Sequence, residues 1–467
     1  DDSLVNQWRP PFFKFRGDVF APAGNRYGYL MEFKISEKLS SMNFPIDDYD
    51  MAKITNGIFD DSKLIESNGQ YDGEIIFRDH VSFKENVPKM KSGGEIDAFI
   101  KKNSMNDKIA KVLSNDLKYK NLTKFQEDAI SEIQETANSD KKDTVLISAR
   151  TGGGKTEAFM LPILNKCLSD SKKGVKALIF YPTKALANDQ ASRFIEIMYN
   201  INKNGDRKIT LGILHGDIAK NDEKASPDTT SGLPLTCPKC HDGLLQPTNS
   251  ENLICGNEKC KETLDFVWAY TRTQTYANPP DILITNPDTM IWDLMLRPHH
   301  HSIFGRPVLS CRTCGMTYAT KGKRKCTDGC QESNLEEILP TPPSFLVFDE
   351  VHLFKGSFGI NTAYFLSRIE YTINEYAKKY HEDYPHRITK IGSSATISNT
   401  DEFIKAFFNS EKDRYNLIPK ADDNPEKYYD TEADDSLNRY HIFVMPYAYS
   451  SDSTVGLAIQ YTQGRAI

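Results

Sequence analysis

Thr144-Val-Leu-Ile-Ser-Ala-Arg-Thr-Gly-Gly-Gly-Lys-Thr-Glu-Ala-Phe159 is the stretch that decides the fold of this 467-residue chain. Its first residues are apolar or β-branched, as a buried strand requires; three glycines follow, and then a helical pattern begins. Consecutive glycines let backbone N–H groups converge on one anion, and a helix that starts there adds its positive end. Strand, glycine turn and helix in that order predict a polyphosphate site formed by Thr151, Gly152, Gly153 and Gly154. In it Lys155 reaches the β- and γ-phosphates of ATP and Thr156 offers its hydroxyl to Mg²⁺. A solvated lysine behind an ordinary glycine turn is the plainer alternative; the flanking strand and helix weigh against it.

Working outward, similar runs recur at Ala177 to Tyr181, Ile209 to Leu214, Asp281 to Thr285, Phe345 to Phe348 and Lys390 to Ser393. Each is bounded by Gly, Pro or polar clusters, and helical patterns lie between them. This alternation predicts an α/β fold, a doubly wound parallel sheet with helices on both faces. The run Phe345-Leu-Val-Phe-Asp-Glu-Val-His352 ends in two carboxylates. Asp349 is expected beside Thr156, holding Mg²⁺ directly or through water, and Glu350 is the candidate to orient or deprotonate an attacking water. Taken alone, Asp-Glu could be no more than a polar strand end.

Nine cysteines punctuate the chain, eight of them in four close pairs. Cys237, Cys240, Cys255 and Cys260 read C-x₂-C-x₁₄-C-x₄-C; Cys311, Cys314, Cys326 and Cys330 read C-x₂-C-x₁₁-C-x₃-C. Each set has the form of a zinc ribbon, in which two knuckles complete a tetrahedral thiolate cage with no open position, so two structural Zn²⁺ sites are expected. A single Fe–S cluster is the rival metal reading, and ligation crossed between the two sets stays open. Cys167, in a helical pattern, reads as a small core residue. His299-His-His301 is expected on a solvated loop. The basic run Lys321-Gly-Lys-Arg-Lys325 reads equally as a phosphate contact or a charged loop tip.

Composition bounds the rest. At 39% hydrophobic and 26% charged the chain is of ordinary globular type. Its apolar runs fall far short of the roughly 20 residues that cross a bilayer, and the first residues lack a signal-peptide layout, so a cytoplasmic protein without membrane partners is expected. A formal charge of −6 excludes a general positive coat. Any nucleic-acid contact has to be local.

Several further segments then carry a resemblance. Ala149 stands where the general phosphate-loop pattern has its first glycine, and Ala-x-x-Gly-x-Gly-Lys-Thr is the helicase form. Leu122-Thr-Lys-Phe-Gln126 resembles the glutamine motif, Tyr181 to Gln190 motif Ia, and Leu214-His-Gly-Asp217 the next nucleic-acid motif. Asp281 to Met290 resembles the strand-and-turn on the nucleic-acid backbone, and Gly392-Ser-Ser-Ala-Thr396 motif III. In this order, over about 120 to 400, the motifs resemble superfamily 2 helicases of the DExH type. The finer wording is similar to the Lhr-like helicases and their relatives with a C-terminal cysteine-bearing domain, including motor subunits of anti-phage systems such as DISARM and Druantia.

The resemblance implies a RecA-like lobe in which Phe125 and Gln126 meet the adenine. It implies that Thr183, Lys184, His215, Gly216, Thr285 and Asn286 touch the nucleic-acid backbone, and that His352, Ser394, Ala395 and Thr396 couple hydrolysis to strand movement. For Gln126 and Thr183, ordinary helix capping is the alternative. Residues 1–115 are expected to form an accessory domain and 116–400 the RecA-like lobe, with zinc ribbons inserted at about 225–275 and 305–335. Residues 401–467 are expected to be a linker and the start of a second lobe. The expected activity is an ATP-dependent helicase or translocase acting on DNA, with RNA as the other track and protein partners in a defence complex or DNA repair as its setting. An ATP-switched nucleic-acid scaffold, or a duplex translocase that does not separate strands, are the alternatives.

Overall fold

The structure is a computed structural model. It describes residues 27–28, 31–35, 77–87, 89–150, 152–203, 207–218, 235–247, 252–269, 271–296, 298–314, 316–319, 325–326, 330–382, 386–395, 400–420, 423–430 and 437–448. Thr151, Thr396 and most of the basic run Lys321 to Lys325 lie outside the described residues. The chain divides into one unit from Met90 to Tyr428 and another made of Asp1–Lys89 with Tyr429–Ile467.

The larger unit is built on eight strands: β1 (Thr144–Ser148), β2 (Ala177–Phe180), β3 (Leu211–Leu214), β4 (Val267–Trp268), β5 (Ile282–Thr285), β6 (Phe345–Phe348), β7 (Thr389–Ser394) and β8 (Tyr415–Ile418). They lie in the order β4-β3-β5-β2-β6-β7-β1-β8, and every neighbouring pair is parallel. Six longer helices flank them: α1 (Lys124–Ala137), α2 (Lys155–Ser169), α3 (Lys184–Lys203), α4 (Pro287–Leu296), α5 (Gly356–Tyr380) and α6 (Thr400–Phe408). The predicted doubly wound α/β class is what the chain adopts.

Side-chain alternation along the strands explains the layers. Leu178, Phe180, Leu214, Leu283, Leu346 and Phe348 join one apolar core with Met290 and Leu294 of α4, Phe365, Leu366 and Ile369 of α5 and Phe407 and Phe408 of α6. Phe180 and Phe348, on adjacent strands, stack at 4.6 Å. Their alternating neighbours Ile147, Ile179, Ile213, Ile284 and Val347 are also fully buried, on the layer to which α1, α2 and α3 belong. All the strands point the same way, so their carboxyl ends share one edge. On it β1, β7 and β6 are consecutive, and β2, β5 and β3 follow.

The lobe runs past the boundaries expected from sequence. At its end β8 pairs with β1 from Tyr415↔Thr144 to Ile418↔Ile147, and the Tyr428 hydroxyl reaches Asp128 at 3.1 Å and Asp423 at 2.8 Å. At its start the helices Ile96–Lys102 and Asp107–Lys111 precede residue 115, inside the same unit. In the other unit the strand Leu437–Ala448 pairs antiparallel with Phe77–Val87, with Met31–Ile35 and with Tyr27–Gly28. His441 to Met445, within the stretch 401–467, thus lies in the middle of an antiparallel sheet. An apolar alternating run serves either kind of sheet, and only its partners decide which. Among the described residues no helix is long and apolar enough to cross a membrane.

Candidate functional site

The glycine turn takes the shape its sequence demands. Gly152 and Gly154 have φ of 81° and 74°, where a side chain is strained. A Cβ on Gly153 would lie 2.9 Å from both Ala149 Cβ and the Arg150 carbonyl. Lys155 opens α2 and is buried, its Nζ donating to the Ala149 carbonyl at 2.9 Å. Desolvation lowers its pKa, and the carboxylates of Glu350 and Asp349 oppose that shift. The lysine and the acid pair therefore share one electrostatic site. Thr156 is buried beside it.

Gln126 belongs to this site by an unexpected route. Thr123 and Gln126 close a capping box on α1: Gln126 N donates to Thr123 Oγ1 at 3.2 Å and Thr123 N donates to Gln126 Oε1 at 2.9 Å. The remaining Nε2 group donates to the Gly154 carbonyl at 3.3 Å. The capping alternative therefore holds, and the cap also props the phosphate turn. Phe125, assigned to the adenine from sequence, is instead a core residue, buried edge-on against Tyr428 with 6.1 Å between ring centroids.

Asp349 follows β6 directly, its N–H bonded to the Phe180 carbonyl at 3.1 Å. Burial pushes its carboxyl up to about 6, against the opposing pull of the Ser393 hydroxyl, and Glu350 adds to the rise. Glu350 has φ of 50°, a left-handed conformation uncommon for a residue with a side chain. Its Oε2 lies 3.2 Å from His352 Nδ1, which is 3.3 Å from Ser394 Oγ. Ser394 in turn accepts the Ala149 N–H on its carbonyl at 3.1 Å. A chain of contacts thus joins the acid pair, His352, β7 and the first residue of the phosphate turn. Ala395 follows β7, half-buried.

The residues present fit ATP and Mg²⁺. A buried lysine and a buried carboxyl share this site electrostatically, and the buried Tyr181 hydroxyl near Asp349 has no hydrogen-bond partner among the described residues. Unmet buried polar groups around a glycine turn are what an anion with its cation and water satisfies.

Under β2, β5 and β3 the expected nucleic-acid contacts divide. Thr183 and Lys184 are exposed at the start of α3, although Thr183 Oγ1 also caps that helix by accepting from Leu186 N at 3.3 Å. Lys184 Nζ pairs with Asp217 at 2.6 Å, beside exposed Gly216. Thr285 is buried and donates its hydroxyl to the Leu214 carbonyl at 2.7 Å, so it ties β5 to β3 rather than facing a ligand. His215 is likewise buried. Its Nε2 meets Asn188 Oδ1 at 2.9 Å, its Nδ1 accepts from Asp217 N at 3.3 Å, and burial drives its pKa down to about 4. Both side chains, expected at the nucleic-acid backbone, are engaged in contacts within the lobe. Asn286 caps α4 through Thr289 N at 3.2 Å. Sequence reasoning missed Arg272, whose guanidinium binds the carbonyls of His215, Gly216 and Ile218 and holds their loop in place. A lone arginine in a polar stretch gave no signal of it.

The eight cysteines close into two separate cages. Cys237 and Cys260 stand 3.9 Å apart and Cys240 and Cys255 3.6 Å apart; Cys311 and Cys330 are at 3.6 Å and Cys314 and Cys326 at 3.3 Å. In each set all four sulfurs lie within 4.8 Å of one another. A tetrahedron of thiolates around Zn²⁺ has edges of about 3.8 Å, and a disulfide would need roughly 2.05 Å. Both cages can hold zinc, each within its own three-stranded antiparallel sheet, Leu245–Pro247 with Leu253–Cys255 and Thr263–Leu264 in the first and Val308–Cys311 with Thr317–Ala319 and Leu335–Ile338 in the second. Cys167 is fully buried. Two of the three histidines expected on a solvated loop are buried: His300 stacks on Tyr276 at 3.7 Å, and His301 Nδ1 lies 2.7 Å from the Tyr376 hydroxyl.

A parallel α/β sheet that sets a glycine phosphate turn and an acid pair on one edge is the arrangement of a nucleotide-binding lobe. Accordingly, the DEAD/DEAH box helicase family matches residues 123–252. The chain is similar to the ATP-dependent RNA helicase DBP7 of Meyerozyma guilliermondii, 29% identical over 172 residues that cover 35% of this chain and 21% of that protein. It is also similar to the uncharacterized ATP-dependent helicase MJ1574 of Methanocaldococcus jannaschii, 23% identical over 58% of this chain and 26% of that protein. Among solved structures it is similar to the DUF1998 helicase MrfA, with 20% identity and a TM-score of 0.41 over 69% of this chain and 33% of the other. The chain spans roughly a fifth to a quarter of the length of these curated relatives.

Proposed function

We propose that this chain is the ATP-binding lobe of a nucleic-acid-stimulated motor, a helicase or translocase. The basis is one geometric fact. Lys155 follows β1, Asp349 and Glu350 follow β6, and only β7 separates those strands in a single parallel sheet. Lys155 would hold the terminal phosphates, and Thr156 and Asp349 would hold Mg²⁺, which when bound neutralises charge on the transferring phosphoryl group. Glu350 positions the attacking water and takes up its proton. His352 keeps Glu350 oriented and passes its position to Ser394 and β7. Gln126 braces the phosphate turn through the Gly154 carbonyl. Catalysis is then mainly positioning and charge neutralisation.

The track is nucleic acid, held near Thr183, Lys184 and Gly216 at the other half of the same edge. DNA is the finer reading, in anti-phage defence or repair, and it rests on the wording of Asp281 to Met290 and of Asp349 to His352. ATP turnover of the full-length protein, measured with and without single-stranded DNA or RNA, tests both levels. Stimulation by DNA above RNA is expected, with Glu350→Gln lowering stimulated turnover at least about hundredfold. Equal rates for the substituted and unsubstituted proteins would end the enzymatic reading.

A further inference from the structure

Glu157 comes directly after Thr156 in the first turn of α2. Its side chain is almost wholly buried, one carboxylate oxygen pairs with the Arg193 guanidinium of α3, and the other has no hydrogen-bond partner among the described residues. Arg193 is half-exposed and also donates to Gln190 Oε1 at 3.3 Å. The helix that begins at the phosphate turn is thereby tied to the helix that begins at Thr183 and Lys184.

As a contribution to stability the pair is poor. A carboxylate withdrawn from water with one oxygen unmet costs more than two apolar side chains in the same space. As a directional link it is apt. The guanidinium is a rigid fork, so any displacement of the α2 start alters its fit to Glu157 and to Gln190 together.

We propose that Glu157 and Arg193 are positioning residues that transmit the state of the phosphate site to the nucleic-acid end of α3. The inference rests on the motor reading above and adds to it the route of communication within this lobe. Allosteric coupling is reciprocal, so it is read as the ratio of oligonucleotide affinities with and without a non-hydrolysable ATP analogue.

The test uses the full-length protein and a fluorescent oligothymidylate, measuring that ratio alongside basal and stimulated turnover for Arg193→Met, Arg193→Lys and Glu157→Gln. Arg193→Met is expected to keep basal turnover within about twofold, to lower stimulation about tenfold and to bring the affinity ratio close to one. Arg193→Lys, which keeps the charge but not the fork, should recover part of both. A purely structural pair would weaken both affinities and leave their ratio intact, and that result overturns the proposal, as would unchanged stimulation in Arg193→Met. If the unsubstituted protein itself shows neither stimulation nor a nucleotide-dependent ratio, the motor reading fails and the link with it.

Discussion

Lys155 shows how a single side chain trades stability for function, and His215 how a buried one makes stability depend on pH. Lys155 is buried with a depressed pKa, so its charge is held at a cost to folding. Lys155→Ala is accordingly expected to abolish ATP turnover by at least about a hundredfold while the thermal midpoint stays level or rises, measured by calorimetry on the same sample. His215 is buried neutral, its pKa lowered to about 4 by desolvation, with Asp217 opposing and Lys184 and Arg272 assisting. The unfolded histidine titrates near 6.5, so the stabilisation is complete above that pH and drains away as pH falls toward 4, by about 3 kcal/mol in all. Urea unfolding midpoints between pH 7 and pH 4 should decline, and His215→Asn should flatten that decline. The sequence named His215 and Thr285 as residue types at strand ends. It could not say that one points at Asn188 and the other at the Leu214 carbonyl, because orientation follows from neighbours far along the chain.

Among the elements, the strands with several β-branched or apolar residues were legible, and with them the phosphate turn and the acid pair. The short ones were not. Val267–Trp268 has two residues, too few for any period, and Tyr415–Ile418 sits in a strongly charged stretch. The cysteine spacing was a clear signal because ligand geometry leaves little freedom, and each cage closes on its own four sulfurs. Two zinc ions per chain are therefore expected by atomic emission, and Cys260→Ser should remove one of them. Loss of both on that single change would mean that the cages are not independent. Chelation should melt the small sheets, since metal binding contributes roughly 10 kcal/mol or more to units with so little core. The first of them touches α3 through Thr236 N to Ser192 Oγ at 3.3 Å and Tyr199 to Glu262 at 3.0 Å, so chelation should also weaken oligonucleotide binding.

At the scale of the molecule, the boundaries were the hardest to foresee. A lobe ending at 400 would strip β8 from β1, the strand that delivers the phosphate turn, and an opened edge invites aggregation. Residues 90–430 are expected to unfold cooperatively as an isolated fragment, and 116–400 to be insoluble or molten, as checked by near-ultraviolet circular dichroism. The pairing of 437–448 with 27–28, 31–35 and 77–87 was hidden by separation along the chain, which no local period reveals. The first ribbon interrupts the chain between β3 and β4, at the far margin of the sheet. Six strand spacings, about 30 Å, lie between β4 and the phosphate-turn strand. Such a remote insertion is free to be lengthened, exchanged or lost over evolutionary time while the hydrolytic half keeps its form, and descendants of one engine can acquire different attachments at that margin.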